Sequence, residues 1–136
     1  MAKLQCIVVT PERTILDQPA DFVALPLFDG EIGLAPGRSP MIGRLGSGEM
    51  RLVRDDQGQT LRYYIEGGFV EVVENVVSVL TNRAVRAEKL VVEEAQERLA
   101  AALERPARSP ELMDIRDRLV NQARAEIRVA SRADSH

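Results

Sequence analysis

From Lys3 to Leu80 the apolar residues alternate with polar ones or gather in short β-branched runs, punctuated by Gly, Pro and Asp. A period of two is the pattern of strands with one buried face. Leu4-Gln5-Cys6-Ile7-Val8-Val9 predicts a first strand within Lys3 to Thr10, stopped by Pro11. Arg13 to Gln18 predicts a second, closed by Pro19, and Val23, Leu25 and Leu27 alternate with Phe22, Ala24 and Pro26 in a third. Met41 to Leu45 reads as a brief strand that Gly46 and Gly48 turn aside, and Glu49 to Arg54 runs into the hairpin signal Asp55-Asp56-Gln57-Gly58. Leu61, Tyr63 and Ile65 alternate with Arg62, Tyr64 and Glu66 until Gly67-Gly68 breaks the run. Phe69 to Val73 and Val76 to Leu80 form a last pair joined near Glu74-Asn75. The expectation is an antiparallel β-sandwich of about ten short strands, because helical crossovers for a parallel sheet have no room before residue 84.

The periodicity changes from about Arg86. Val92, Ala95, Leu99, Ala102 and Leu103 share one face of a helix. Arg105-Pro106-Ala107-Arg108 is a break, and Ser109-Pro110-Glu111 supplies an N-cap, a proline at the first helical position and a first-turn acid. Leu112, Ile115, Leu119, Ala123, Ile127 and Ala130 are the expected stripe of the second helix. The fold class is therefore β + α. An N-terminal antiparallel sandwich spans 1–85, and a C-terminal antiparallel two-helix hairpin spans 86–136. An Ala-rich seam removes little area from water, so the hairpin is expected to hold a neighbour only modestly. A gap of a few kcal/mol would leave docked and released arrangements both accessible; the alternative is a hairpin permanently docked as part of the fold.

The composition narrows the function classes. With 45% hydrophobic and 4% aromatic residues and no Trp, the core is aliphatic. A net charge of -3 argues against a nucleic-acid binder. Cys6 is the only cysteine, which fits a reducing compartment and a small buried apolar role. No apolar run approaches the ~20 residues of a membrane span, so no direct membrane insertion is expected. The N-terminus lacks the pattern of a signal peptide. The single histidine, His136, is terminal, where disorder is the default expectation. No zinc-ligand cluster, no nucleophile–base pair and no phosphate loop with its Lys is present in the sequence, so neither a catalytic site, a metal nor a cofactor is expected. Gly30-x-x-Gly33-x-x-x-Gly37 is no dinucleotide fingerprint, since no helix follows it.

Gly30-Glu31-Ile32-Gly33-Leu34-Ala35-Pro36-Gly37-Arg38-Ser39-Pro40 places two charged residues on a loop stiffened by glycine and proline, either a contact surface or a pair of tight turns. Gly30-Glu31-Ile32-Gly33 followed by Pro36-Gly37-x-x-Pro40 resembles the signature of the epsilon subunit of F-type ATP synthases, the mitochondrial delta subunit's counterpart. Tyr64-Ile65-Glu66-Gly67-Gly68-Phe69-Val70-Glu71-Val72, with Asn75-Val76-Val77-Ser78-Val79-Leu80 after it, resembles that family's second signature. Together with length and layout, the resemblance covers essentially the whole chain.

The resemblance implies a non-catalytic rotor subunit of a proton- or sodium-translocating complex, peripheral on the cytoplasmic side of the bacterial inner membrane. Its sandwich packs against the gamma subunit and rests on the ring of c subunits, with Glu31, Arg38 and Ile42 facing the ring's polar loops. Arg38 departs from the family, where many members carry His. The helical hairpin is the family's regulatory element, inhibiting ATP hydrolysis through contacts with the catalytic alpha and beta subunits. Arg118, Arg124, Arg128 and Arg132, against the single acid Glu126, are the residues for that contact, unless they are simply solvated surface. The ATP-binding motif of some bacterial members falls on Leu90-Val91-Val92-Glu93-Glu94-Ala95. Leu90 and Ala95 fit it, while Val91 replaces an Asp and Glu94 replaces an Arg, so weak or no ATP binding is expected. The alternative from another class is a free-standing sandwich that senses a ligand through a mobile hairpin.

Overall fold

The computed structural model describes residues 2–134, so His136 lies outside the described residues. Eight strands, β1 (Leu4–Val9), β2 (Thr14–Ala20), β3 (Phe22–Leu27), β4 (Gly30–Leu34), β5 (Met41–Arg54), β6 (Gln59–Val73), β7 (Val76–Leu80) and β8 (Ala84–Arg86), precede two helices, α1 (Val92–Leu103) and α2 (Pro110–Asp134). The chain divides into two compact units, Met1–Arg86 and Ala87–His136.

In the first unit the strands are hydrogen-bonded in the order β2-β1-β7-β6-β5-β3-β4, with β8 on β6. Fewer strands form than the glycine punctuation predicts, and the reason lies in β5 and β6. Gly46 and Gly48 do not turn β5 aside, nor does Gly67-Gly68 end β6. The two strands pair from Met41↔Val72 to Arg54↔Gln59, with Leu45↔Gly68 and Ser47↔Glu66 in one register on either side of the Gly46–Gly67 position. The glycines bend a continuous ribbon so that its two halves serve the two layers of the sandwich. Near one end it pairs with β7, and through β7 with β1 and β2; near the other it pairs with β3 and β8. Gly68 has φ +106, and a Cβ there would sit 1.9 Å from the Leu80 carbonyl oxygen, so the corner excludes any side chain.

Three further expectations are corrected. The β1–β7 ladder is parallel, the one such pairing among the described residues; its strands lie far apart in sequence and need no tight turn. Pro19 does not close β2 but sits within it opposite Gln5, because β2 is an edge strand where a missing N–H costs no ladder bond. Residues 84–86 extend the sheet against Tyr63–Ile65 before a single 3-10 turn at Ala87–Lys89, so the helix begins later than Arg86. The tight turns behave as read: Glu74 and Asn75 adopt φ 48 and 66, and Gly58 adopts φ 57 after the Asp55–Gln57 turn.

The core is aliphatic. Leu4, Cys6, Val8, Val23, Leu25, Leu34, Met50, Leu52, Ile65, Val70, Val72, Val77 and Val79 are buried and packed together. Alternation fills it: apart from Val23, whose neighbour Ala24 is also buried, each of these residues is followed by a half-buried or exposed one.

In the second unit Ser109 begins α2 as read, its hydroxyl accepting from the Leu112 amide at 3.2 Å. The helix-to-helix seam differs from the expected stripes. Ala95 and Ala102 are buried on α1, and Val120, Ala123, Glu126 and Ala130 on α2, whereas Leu103, Leu112 and Met113 are exposed. An ion pair from Arg98 to Glu126 sets the register. At 1.5 Å per residue it brings Leu103 level with about Asn121, so roughly the first three turns of α2 overhang the end of α1.

Candidate functional site

The loop that drew attention in the sequence is fixed by side-chain contacts at two points. On β4, Glu31 lies opposite Pro26, and its carboxylate accepts from Arg51 Nη2 at 3.0 Å. Arg51 also donates to Glu49 at 3.4 Å. Burial alone lowers the Arg51 guanidinium, but the hydrogen bonds and charges of Glu31 and Glu49 outweigh it and raise the group above its ordinary value. At the far side of β4, Gly37 adopts φ +90, and its amide donates to Asn75 Oδ1 at 2.8 Å. Arg38 follows, exposed, and Ile42 at the start of β5 is 75% exposed opposite Glu71. Glu31 thus sits with Arg51, Arg38 beside the β6–β7 turn, and Ile42 on the face of β5 that carries Arg44.

That face is the second feature. Along β6 and β7 the inward residues Val70, Val72, Val77 and Val79 are buried, yet Ile42 on β5 and Phe69, Val73, Val76 and Leu80 point outward and are exposed. Phe69 pairs directly with Leu80, and Val73 with Val76, so the apolar groups adjoin across strands. A groove of about 810 Å3 runs along the Phe69–Leu80 pair, lined also by Val9, Pro11 and Arg44. The Arg44 guanidinium stacks 5.7 Å from the Phe28 ring centroid, leaving one cation on an apolar surface.

The third feature is α2. Arg118, Arg124, Arg128 and Arg132 are all exposed, the last three one helical turn apart. Glu126, read in sequence as the lone acid among them, is not part of that surface. It is 1% exposed and accepts from Arg98 Nε at 3.0 Å and Nη2 at 2.5 Å, a charged clasp between the helices. Of the Leu90–Ala95 stretch, Leu90 and Ala95 are buried, Val91 precedes the first turn of α1, and Glu93 and Glu94 stand exposed in that turn. Two acids at a helix N-terminus suit the dipole and oppose a polyphosphate.

Residue patterns missed Arg51, Arg98 and the Phe69–Leu80 pair. The last was legible in principle, since outward positions of β6 and β7 carry apolar groups where alternation calls for polar ones. Arg51 and Arg98 gave no signal, because their partners are distant in sequence. Among the described residues no group of His, Cys, Asp and Glu is placed to hold a metal ion, and no helix is long and apolar enough to cross a membrane.

What these features define is a two-unit protein that presents surfaces to other macromolecules. Residues 3–87 match the family described as ATP synthase, Delta/Epsilon chain, beta-sandwich domain, and the chain belongs to that family. An ATP synthase epsilon chain of Rhodopirellula baltica is 50% identical over 127 residues, covering 93% of this chain and 98% of the relative. One from Carboxydothermus hydrogenoformans is 43% identical over 106 residues, covering 78% of each. The fold resembles a chain in the Euglena gracilis mitochondrial ATP synthase structure of OSCP, F1 and c-ring, with TM-score 0.79 and 22% identity over 100% of this chain and 83% of that one. It also resembles a chain in the central stalk and c-ring of the Tetrahymena thermophila enzyme, with TM-score 0.75 and 9% identity over 95% and 97%.

Proposed function

We propose that this chain is the non-catalytic central-stalk subunit of a proton- or sodium-translocating F-type ATP synthase, linking the gamma subunit to the c-ring and restraining ATP hydrolysis through its C-terminal helices. The observation that carries the stalk role is the outward apolar face of β5, β6 and β7. Phe69, Val73, Val76 and Leu80, the exposed apolar side chains of that face other than Ile42, are the kind of patch that a soluble chain covers with a partner. The gamma subunit is that partner in this reading, and the complex lies peripherally on the cytoplasmic side of a bacterial inner membrane.

Glu31, Arg38 and Ile42 are the residues assigned to the polar loops of the c-ring. Arg51 holds the Glu31 carboxylate in a defined position, while Arg38 supplies an exposed cation. Exposed ion pairs are worth only ~0–1 kcal/mol each, so their contribution is orientation more than affinity. Arg118, Arg124, Arg128 and Arg132 are assigned to acidic segments of the catalytic alpha and beta subunits. With Glu94 in place of an Arg, the hairpin binds ATP weakly or not at all.

The test is reconstitution of the complex with the full chain and with residues 1–86. The short form is expected to assemble with gamma and to hydrolyse ATP faster. Equal hydrolysis by the two forms defeats the inhibitory role, and failure of the full chain to hold gamma defeats the stalk role. Calorimetry on the isolated chain checks the nucleotide, and a micromolar dissociation constant for ATP overturns that part of the reading in favour of a ligand sensor.

A further inference from the structure

Asn75 stands where three segments of the sandwich meet. Its side-chain Oδ1 accepts from the Gly37 amide at 2.8 Å, across 38 positions of chain. Its own backbone carbonyl accepts from the Gln5 amide at 2.8 Å, tying in the start of β1. Its backbone is left-handed at φ 66, as the second residue of the two-residue turn between β6 and β7. Asparagine suits both demands, since it tolerates the left-handed region better than most residues and brings a carbonyl acceptor. Glycine meets only the first demand. The segment it holds, Ala35 to Pro40, carries two prolines, so one anchored amide restrains most of its remaining freedom.

We propose that Asn75 is a positioning residue that locks the loop bearing Arg38 against the β6–β7 turn and so presents Arg38 and Ile42 as one rigid contact surface. The inference rests on the reading that these residues face the c-ring. It assigns Asn75 no contact with the ring itself. A loop already held in its bound geometry loses less freedom on association, which shows mainly as slower dissociation.

Three full-length variants test it, with amide exchange of Gly37 read by NMR and retention on a detergent-solubilised rotor of gamma and c-ring read as a dissociation rate. Asn75→Gly keeps the left-handed turn and removes the acceptor; Gly37 exchange is expected to accelerate about fivefold or more, the worth of one net hydrogen bond, with faster dissociation and melting temperature nearly unchanged. Asn75→Asp keeps an acceptor and the turn, and is expected to restore both quantities. Ile42→Asp probes the contact surface directly and is expected to speed dissociation without changing Gly37 exchange. Unchanged Gly37 exchange in Asn75→Gly overturns the proposal, as does faster exchange with unchanged retention on a rotor that Ile42→Asp weakens. If Ile42→Asp leaves retention intact, the ring-facing surface itself is wrong and the positioning role falls with it.

Discussion

Gly68 and Gly37 show how differently two left-handed glycines constrain a chain. At Gly68 an added Cβ meets the Leu80 carbonyl at 1.9 Å, while at Gly37 it meets nothing within 4 Å. Gly68→Ala therefore has to separate β6 from β7, and its expected cost is at least ~3 kcal/mol in urea unfolding. Gly37→Ala carries only the left-handed backbone penalty, ~1–2 kcal/mol. Equal midpoints for the two variants count against a packed corner. Cys6 offers a pH test. Burial, with a smaller push from the Asp17 carboxylate, raises its thiol from 9.0 to about 12. The folded form stays protonated where the unfolded chain already ionises, so this contribution is intact below about pH 9 and declines as pH rises towards about 12. Cys6→Ala is expected to flatten the alkaline fall in urea midpoint, and alkylation of the native thiol is expected to be slow at neutral pH. Rapid labelling of the folded chain contradicts the burial.

At the scale of elements, the helices bury mainly small residues, and a charged clasp joins them. Ala95, Ala102, Ala123 and Ala130 bury little surface each, so the Arg98–Glu126 pair weighs more than such a pair does in a Leu-rich bundle. Glu126 has 2% side-chain exposure and Arg98 47%, so removing the arginine takes a charged donor from a buried carboxylate, whereas removing the glutamate leaves a cation that water can reach. Arg98→Met is thus expected to loosen the hairpin more than Glu126→Gln, by ~1–3 kcal/mol against ~1 kcal/mol. Amide exchange along α1 and α2 measures both, and a double replacement that recovers part of the loss marks true coupling. An unchanged exchange pattern in both single variants contradicts the clasp. The first turns of α2, past the end of α1, are expected to exchange fastest in every variant.

At the scale of the whole molecule, the sandwich has its own core and its own ladder of pairings, so residues 1–86 are expected to fold alone with the cooperative unfolding of the full chain's first unit. The apolar face makes a second prediction at this scale. A double replacement of Phe69 and Leu80 by Ser is expected to leave the melting temperature within a few degrees while abolishing capture by gamma. Both side chains are exposed, at 58% and 54%, and lie outside the core. Loss of folding in that variant, or undiminished capture, rejects the face as the stalk contact.

The order of elements was legible in the residues because alternation, turn chemistry and the Ser109-Pro110 start are local properties: a strand's two faces and a helix cap are written within a few positions. So were the two signature stretches, and with them the family. What the local pattern misjudged was continuity and partnership. Glycines at 46, 48, 67 and 68 look the same whether they end a strand or bend one, and only the pairing of β5 with β6 along both halves decides for bending. Glu126 reads as surface among arginines until Arg98 on the other helix is brought to it. Arg51 beside Glu31, and Asn75 beside Gly37, likewise join positions tens of residues apart. The sequence by itself determined which segments are strand or helix and which side of each is apolar, since those depend on neighbours along the chain. Which charges are paired and which loop is anchored were decided by the tertiary structure alone, because they depend on neighbours in space.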